Sequence, residues 1–282
     1  RYTDGNFTGI RIMGIFQNNL LAGAAAAASA GGGGFYDHQI AQSARFDSGS
    51  SSYLTKTFSG AGNRRTGTIS FWCKRSSLGT QQTIFNPHIS NGEQDQLATF
   101  QPNNTLAFFI NGANSGDVNT TGVFRDVSGW NHIMQVWDTT QGTDTNRVKV
   151  YFNGSQVTSL TNNSGGTVSY PSQNYQLAAF GANLHAIGRR TASTGDYFNG
   201  YLAEVVGIDG TAQAPTDLGE FKNDVWIPKD PSGLTFGTNG FHLKFENASD
   251  LGNDSSGNNN DFTANAMGTD HQSIDTPTIG TG

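Results

Sequence analysis

The stretch VKVYFNG, from Val148 to Gly154, decides how the chain reads. Val148, Val150 and Phe152 alternate with Lys149 and Tyr151, and Asn153-Gly154 follows. Alternation with period two puts apolar side chains on one face of an extended segment and polar ones on the other. Asn-Gly tolerates positive φ at both central positions of a two-residue turn, so the run reads as a strand entering a tight hairpin. The pattern recurs along the chain. Ile69, Phe71 and Cys73 share a face in TISFWCK, as do Leu106, Phe108 and Ile110 in TLAFFING, and Phe241, Leu243 and Phe245 in FHLKFE.

Composition agrees with these local signals. The 282 residues include 37 glycines and 19 phenylalanines, and the only glutamates are Glu93, Glu204, Glu220 and Glu246. Charged residues make up 13%, against roughly 25% in an ordinary soluble domain. Polarity comes instead from Asn, Gln, Ser, Thr and Gly, which favour turns and strands over helix. Many short strands with almost no helix between them predict an all-β, antiparallel β-sandwich of the jelly-roll kind. The one helical piece expected is short, in PTDLGEF from Pro215 to Phe221, with Pro215 in its first turn.

Several function classes drop out here. The net charge of −6 and the lack of a dense basic stripe argue against nucleic acid as a partner. No run of 18 apolar residues occurs, so no helix spans a membrane. The single cysteine, Cys73, cannot form an intramolecular disulfide and reads as a buried, inert thiol. The seven N-x-[ST] sequons, Asn119-Thr-Thr among them, are what chance produces in so Asn-rich a chain.

Residues 1–42 read as an extended N-terminal arm, with LAGAAAAASAGGGG (Leu21 to Gly34) as an Ala/Gly-rich linker or a close-packed contact between symmetry-related chains. Residues 43–266 form the expected sandwich. Residues 267–282 form an expected tail that leads towards a further domain.

Six stretches then occur in a telling order: SARFDSGSSSYL, GTISFWCKR, GWNHIMQVWDTT, VKVYFNGSQV, AIGRR and FNGYLAEVVGIDG. Together they resemble a laminin-G-like, concanavalin-A-type jelly roll over about residues 43–265. In that frame Trp130 and Tyr151 are expected to fill the space between the sheets, and 241–263 to supply edge strands in a permuted order. GNRRTGTISFWCKRSSLG, GIDGTAQAPTDLGEF and the run from Trp226 to Met267 further resemble virion proteins of marine bacteriophages. That resemblance implies a non-enzymatic structural protein of a phage particle, in a tail fibre, tail appendage or capsid decoration. It also implies a homo-oligomer, with a trimer expected by analogy. The arm would hold other virion proteins, and the sandwich loops would touch host-surface glycans. The rival readings are a secreted carbohydrate-binding lectin and a sandwich glycoside hydrolase.

The candidate sites are few. In DLGNDSSGNNNDF, Asp250, Asp254, Asn258, Asn260 and Asp261 offer oxygens for a structural calcium, the only cofactor suggested. EF-hand spacing fails, because Gly252 stands where a ligand is needed and position 261 is Asp. The other reading of the loop is a set of Asx turns. Hydrolysis of a glycoside needs two facing carboxylates, and the near miss Glu93-Gln94-Asp95 lacks a third acid and is expected in a loop. Glu204, set between Leu202 and Val206, is expected to point inward and to be hydrogen-bonded there. His132 is expected as a hydrogen-bonded core histidine. Arg64-Arg65 and Arg189-Arg190 fit either a carboxylate or glycan contact or solvated turns. Tyr170, Tyr175 and Tyr197 are expected to pack against loops. No catalytic set is assigned.

Overall fold

The computed structural model describes residues 34–90, 93–110, 116–191 and 195–278. Two compact units divide the chain, residues 1–37 and 38–282. Of the first, only 34–37 lie among the described residues, where the rings of Phe35 and Tyr36 meet edge to face. The arm and the Ala/Gly-rich segment otherwise lie outside them.

The second unit is built of strands. In chain order they are β1 (Ser43–Phe46), β2 (Tyr53–Thr57), β3 (Thr66–Arg75), β4 (Gln82–Ser90), β5 (Glu93–Phe100), β6 (Leu106–Ile110), β7 (Gly116–Thr120), β8 (Asn131–Asp138) and β9 (Val148–Phe152). Then follow β10 (Ser155–Gln156), β11 (Leu160–Thr161), β12 (Leu184–Ile187), β13 (Gly200–Asp209), β14 (Gly219–Lys222), β15 (Val225–Pro228), β16 (Phe241–Leu243), β17 (Thr263–Asn265) and β18 (Gln272–Ser273). The first sheet runs β10-β9-β8-β3-β13-β1-β18, with β16 also paired to β13. The second runs β11-β7-β6-β5-β4-β12-β2-β17, and β14-β15 is a separate hairpin. Every strand ladder is antiparallel. This is the expected all-β sandwich.

The core lies between the two sheets, and the inward residues follow the alternation. Ile69, Phe71, Cys73, Leu106, Phe108, Ile110, Val148, Val150, Phe241 and Leu243 all belong to it. Burial pushes the Cys73 thiol up to about 12, so it stays protonated and unreactive. Asn153 and Gly154 take φ of 46° and 78°, and Ser155 pairs with Phe152 across the turn. Gly154 is required twice over: its φ is positive, and a Cβ there would lie 2.3 Å from the Trp226 ring.

Four expectations change. Trp130 and Tyr151 do not lie between the sheets. Trp137 sits there, beside the expected Phe152, while Tyr151 packs with Met134, Val136 and Leu218, and Trp130 with Trp72 and Trp226. A second apolar layer on the outer face of the first sheet accounts for this, because residues 211–237 fold across it. Only Pro215–Asp217 of PTDLGEF is helical, as one 3₁₀ turn, and Gly219 opens β14. Glu93 and Asp95 lie on β5 rather than in a loop. Residues 267–278 run along the sandwich. Gln272 and Ser273 pair with β1, and Thr278 Oγ1 accepts the N–H of Ile40 at 2.9 Å.

Candidate functional site

The outer face of the second sheet carries an open polar groove of about 280 Å³. Its floor follows from register. Asn119 on β7 stands opposite Ala107 on β6, Ala107 opposite Thr99 on β5, and Thr99 opposite Thr83 on β4. Of this row Ala107 and Asn119 line the groove, while Thr99 and Thr83 are fully buried and hydrogen-bonded to each other at 3.2 Å. Gln81, Gln101, Phe109, Asn163 and Arg190 line it with Ala107 and Asn119. At the Thr83 end, Tyr197 bridges to the strand. The Arg189 guanidinium lies 4.0 Å over the Tyr53 ring and reaches the Tyr197 hydroxyl at 3.3 Å. Arg190 is 3.6 Å from Asp196.

Asn119 is 2% exposed. Its Nδ2 donates to Asp117 Oδ1 at 2.8 Å, and both Asp117 carboxylate oxygens accept the Asn163 N–H. A carboxylate only accepts, so the amide nitrogen must face Asp117 and the oxygen must face away. That oxygen, Oδ1, is buried and has no donor among the described residues. Buried and bonded in this way, Asn119 is closed to glycosylation in the folded protein despite its sequon.

The acidic loop is a closed hydrogen-bond network. Asp254 accepts from His242 N, Ser256 N, Ser256 Oγ and Asn260 N at 2.8–2.9 Å, which uses about four acceptor sites. Asp261 Oδ1 accepts Asp254 N at 2.8 Å. Asn258 and Asn260 turn their NH₂ groups onto the carbonyls of Gly237, Thr238 and Gly240. Asp250 instead lines a surface depression with Lys244, Glu246 and Asn247. Four of the five candidate ligands therefore gather, and a cation would have to displace donors to reach Asp254. Among the described residues no group of three His, Cys, Asp or Glu side chains is arranged to hold a metal.

Glu204 corrects its expectation. A β-bulge between Ala203 and Val206 adds a residue to β13, and Glu204 takes φ of 47°. The bulge throws its carboxylate onto the outer face of the first sheet, not inward. There His242 Nε2 donates to it at 2.7 Å and His38 Nε2 lies 3.6 Å away. Burial alone would raise the carboxyl; the two imidazoles outweigh it and hold the group at about 2. His38 is raised in turn, chiefly by Glu204.

His132 is the hydrogen-bonded histidine expected, under the β14–β15 hairpin. Trp226 Nε1–H donates to its Nδ1 at 3.1 Å, so the ring proton sits on Nε2 and faces Ser70 Oγ at 2.7 Å. A general base needs a bare nitrogen towards the serine, and this tautomer offers the reverse. Burial lowers His132 to about 3 and keeps it neutral. Asp95 is buried and accepts Ala178 N at 2.6 Å. Burial raises it to about 7 against the pull of the Ala178 and Ala179 N–H groups. Arg64 and Arg65 hold the carbonyls of Leu177 and Asn174, and Tyr170 and Tyr175 pack on the core, as turn and loop residues should.

Sequence reasoning missed the groove and the Ser70–His132–Trp226 contact. Both depend on strands distant along the chain. The only signal at Asn119 was a sequon, which pointed elsewhere.

A family model described as the concanavalin A-like lectin/glucanases superfamily matches residues 46–211. The chain belongs to this superfamily. Among solved structures, a heptameric SAP-like pentraxin from Limulus polyphemus is 16% identical with a TM-score of 0.41, over 64% of this chain and 81% of that one. Domain 4 of AbnA, a GH43 extracellular arabinanase from Geobacillus stearothermophilus, in complex with arabinotriose, is 18% identical with a TM-score of 0.40, over 55% and 65%. Domains LG4-5 of the mouse laminin alpha1 chain are 12% identical with a TM-score of 0.40, over 59% and 40%. No curated protein matches the chain.

Proposed function

We propose that this concanavalin A-like chain is a non-enzymatic structural and recognition module of a bacteriophage particle, and that its sandwich holds host-surface glycans in the groove of the second sheet. The observation that carries the binding role is the groove itself: side-chain amides, a guanidinium and a half-buried aromatic ring on one rigid sheet face. Sugars are bound by such sets, with hydroxyls on amides and the apolar ring face on an aromatic. The described lining holds no carboxyl group, which favours binding over hydrolysis, since glycosidases need two about 5–10 Å apart. The phage setting rests on the sequence resemblance.

An array of neutral, N-acetylated and acidic oligosaccharides tests the binding role. Binding that weakens in Phe109→Ala supports it; an empty array removes it. For the assembly role, light scattering compares the full chain with one beginning at His38. Ile40 is buried, so a later start would damage the sandwich itself. A trimer that becomes a monomer supports assembly through the arm, and a monomer in both removes it.

A further inference from the structure

The β14–β15 hairpin lies outside residues 46–211, the part that matches the superfamily model, and it forms a sheet of its own. Its root is fixed: Trp226 and Ile227 are buried, and Trp226 Nε1 donates to His132. Its tip is uncovered. Phe221 is 58% exposed although its ring meets Trp226 edge to face, and Val225 is 49% exposed.

The turn sets which backbone groups face outward. Asn223 and Asp224 take φ of 50° and 63°, so Lys222 and Val225, which flank this two-residue turn, form a hydrogen-bonded pair. Alternation then makes Phe221–Trp226 a non-hydrogen-bonded pair, Glu220–Ile227 a bonded one, and Gly219–Pro228 a non-bonded one, where the missing proline N–H is no loss. Lys229 N–H donates to the Leu218 carbonyl at 3.3 Å, as the next bonded pair requires. The N–H and C=O of Phe221 therefore project from the edge away from β15, and no strand among the described residues pairs with them there. An open edge of this kind takes a further strand.

We propose that β14 is a self-recognition edge, which pairs antiparallel with β14 of a second copy about a twofold axis at Phe221. The strand's own charges select this occupant and this register. Outward backbone groups must meet outward ones, so the axis falls on a residue and not between two. An axis at Glu220 sets two carboxylates opposite each other, and one at Lys222 sets two ammonium groups opposite. An axis at Gly219 runs Phe221 against the 3₁₀ turn of Pro215–Asp217. At Phe221, each Glu220 faces the partner's Lys222, each Phe221 N–H reaches the other C=O, and the two exposed rings come together. The contact is small, in the class that buries less than about 1,200 Å², so the association is weak and concentration-dependent. It is independent of the glycan reading and of the arm.

Sedimentation velocity of the full chain, in a concentration series up to about 1 mM, tests the edge through a charge swap. Any assembly through the arm is common to every variant, so differences between variants isolate the hairpin. Wild type should double in mass as concentration rises. Glu220→Lys and Lys222→Glu each set like charges opposite and should weaken the association roughly tenfold. A 1:1 mixture of the two should associate as wild type does, because opposite charges then meet again, and so should the double variant carrying both changes. If a single variant fails to fold, the double variant decides: doubling supports the edge, and a constant mass overturns it. A wild-type mass that does not rise, single variants that associate as well as wild type, or a mixture no better than its components also overturns the proposal.

Discussion

The two outer faces of the sandwich start from the same strand alternation and end differently. On the first sheet, residues 211–237 cover the face, and its outward side chains become a second core of Met134, Val136, Val206, Ile208, Leu218 and Phe236. Of the polar groups caught beneath, Ser70, His132 and Glu204 have partners inside the protein, while His242 Nδ1 has none among the described residues. On the second sheet the face stays open along the groove. Covering a face turns its outward side chains into core, whereas leaving it open keeps them available to solvent and to whatever binds there.

The contrast breaks most severely at Glu204. Glu204→Ala leaves His38 and His242 without their carboxylate and should cost about 3–5 kcal/mol in urea unfolding. A loss under about 1 kcal/mol would mean the cluster does not hold the covered face. The same group sets an acid limb. Its folded value is depressed to about 2 against about 4.3 unfolded, so its stabilisation is present above the unfolded value and lost as pH falls towards 2. Glu204→Gln should remove that limb.

Trp226→Ala comes next, at about 3–4 kcal/mol by thermal or chemical melting. It opens the space over Gly154 and strips His132 Nδ1 of its donor, so the imidazole should then titrate closer to its ordinary range in NMR. An unchanged His132 signal would show that the hairpin does not seal the face.

Asp95 gives a smaller effect of opposite sign. Its folded value is raised to about 7, so the folded state holds the proton more tightly and stability rises as pH drops from above 7 towards 4. Asp95→Asn should exceed wild type by roughly 2 kcal/mol at pH 8 and match it near pH 4. A gap that does not widen with pH refutes the buried acid. The smallest change in stability belongs to the open face. Phe109→Ala should cost under about 1 kcal/mol yet weaken sugar binding roughly tenfold. A large stability loss there would make the ring part of the core rather than of a site.

The division between what was legible and what was not runs residue by residue. Val148, Val150 and Phe152 announced their inward face, and Asn153-Gly154 its turn, because alternation and turn chemistry are set within a few bonds along the chain. The resemblance of 43–265 correctly placed the chain among concanavalin A-like sandwiches. Tyr151 and Trp130 were misplaced by the resemblance, not by alternation, which already set Tyr151 on the face opposite Val148, Val150 and Phe152; that outer face is apolar and covered here, so bulky rings are buried on it too. Glu204 was misplaced because a bulge slips the parity of β13, which no spacing along one strand reveals. The groove needed strand pairing to set Asn119 beside Ala107 and to bring Gln81, Asn163 and Arg190 to the same face. By itself the sequence determined the strands, their turns and the sandwich, since these follow from local geometry and burial of every second side chain. Only the tertiary structure decided which face closes and which stays open, because that depends on where residues far apart in the chain are brought to lie.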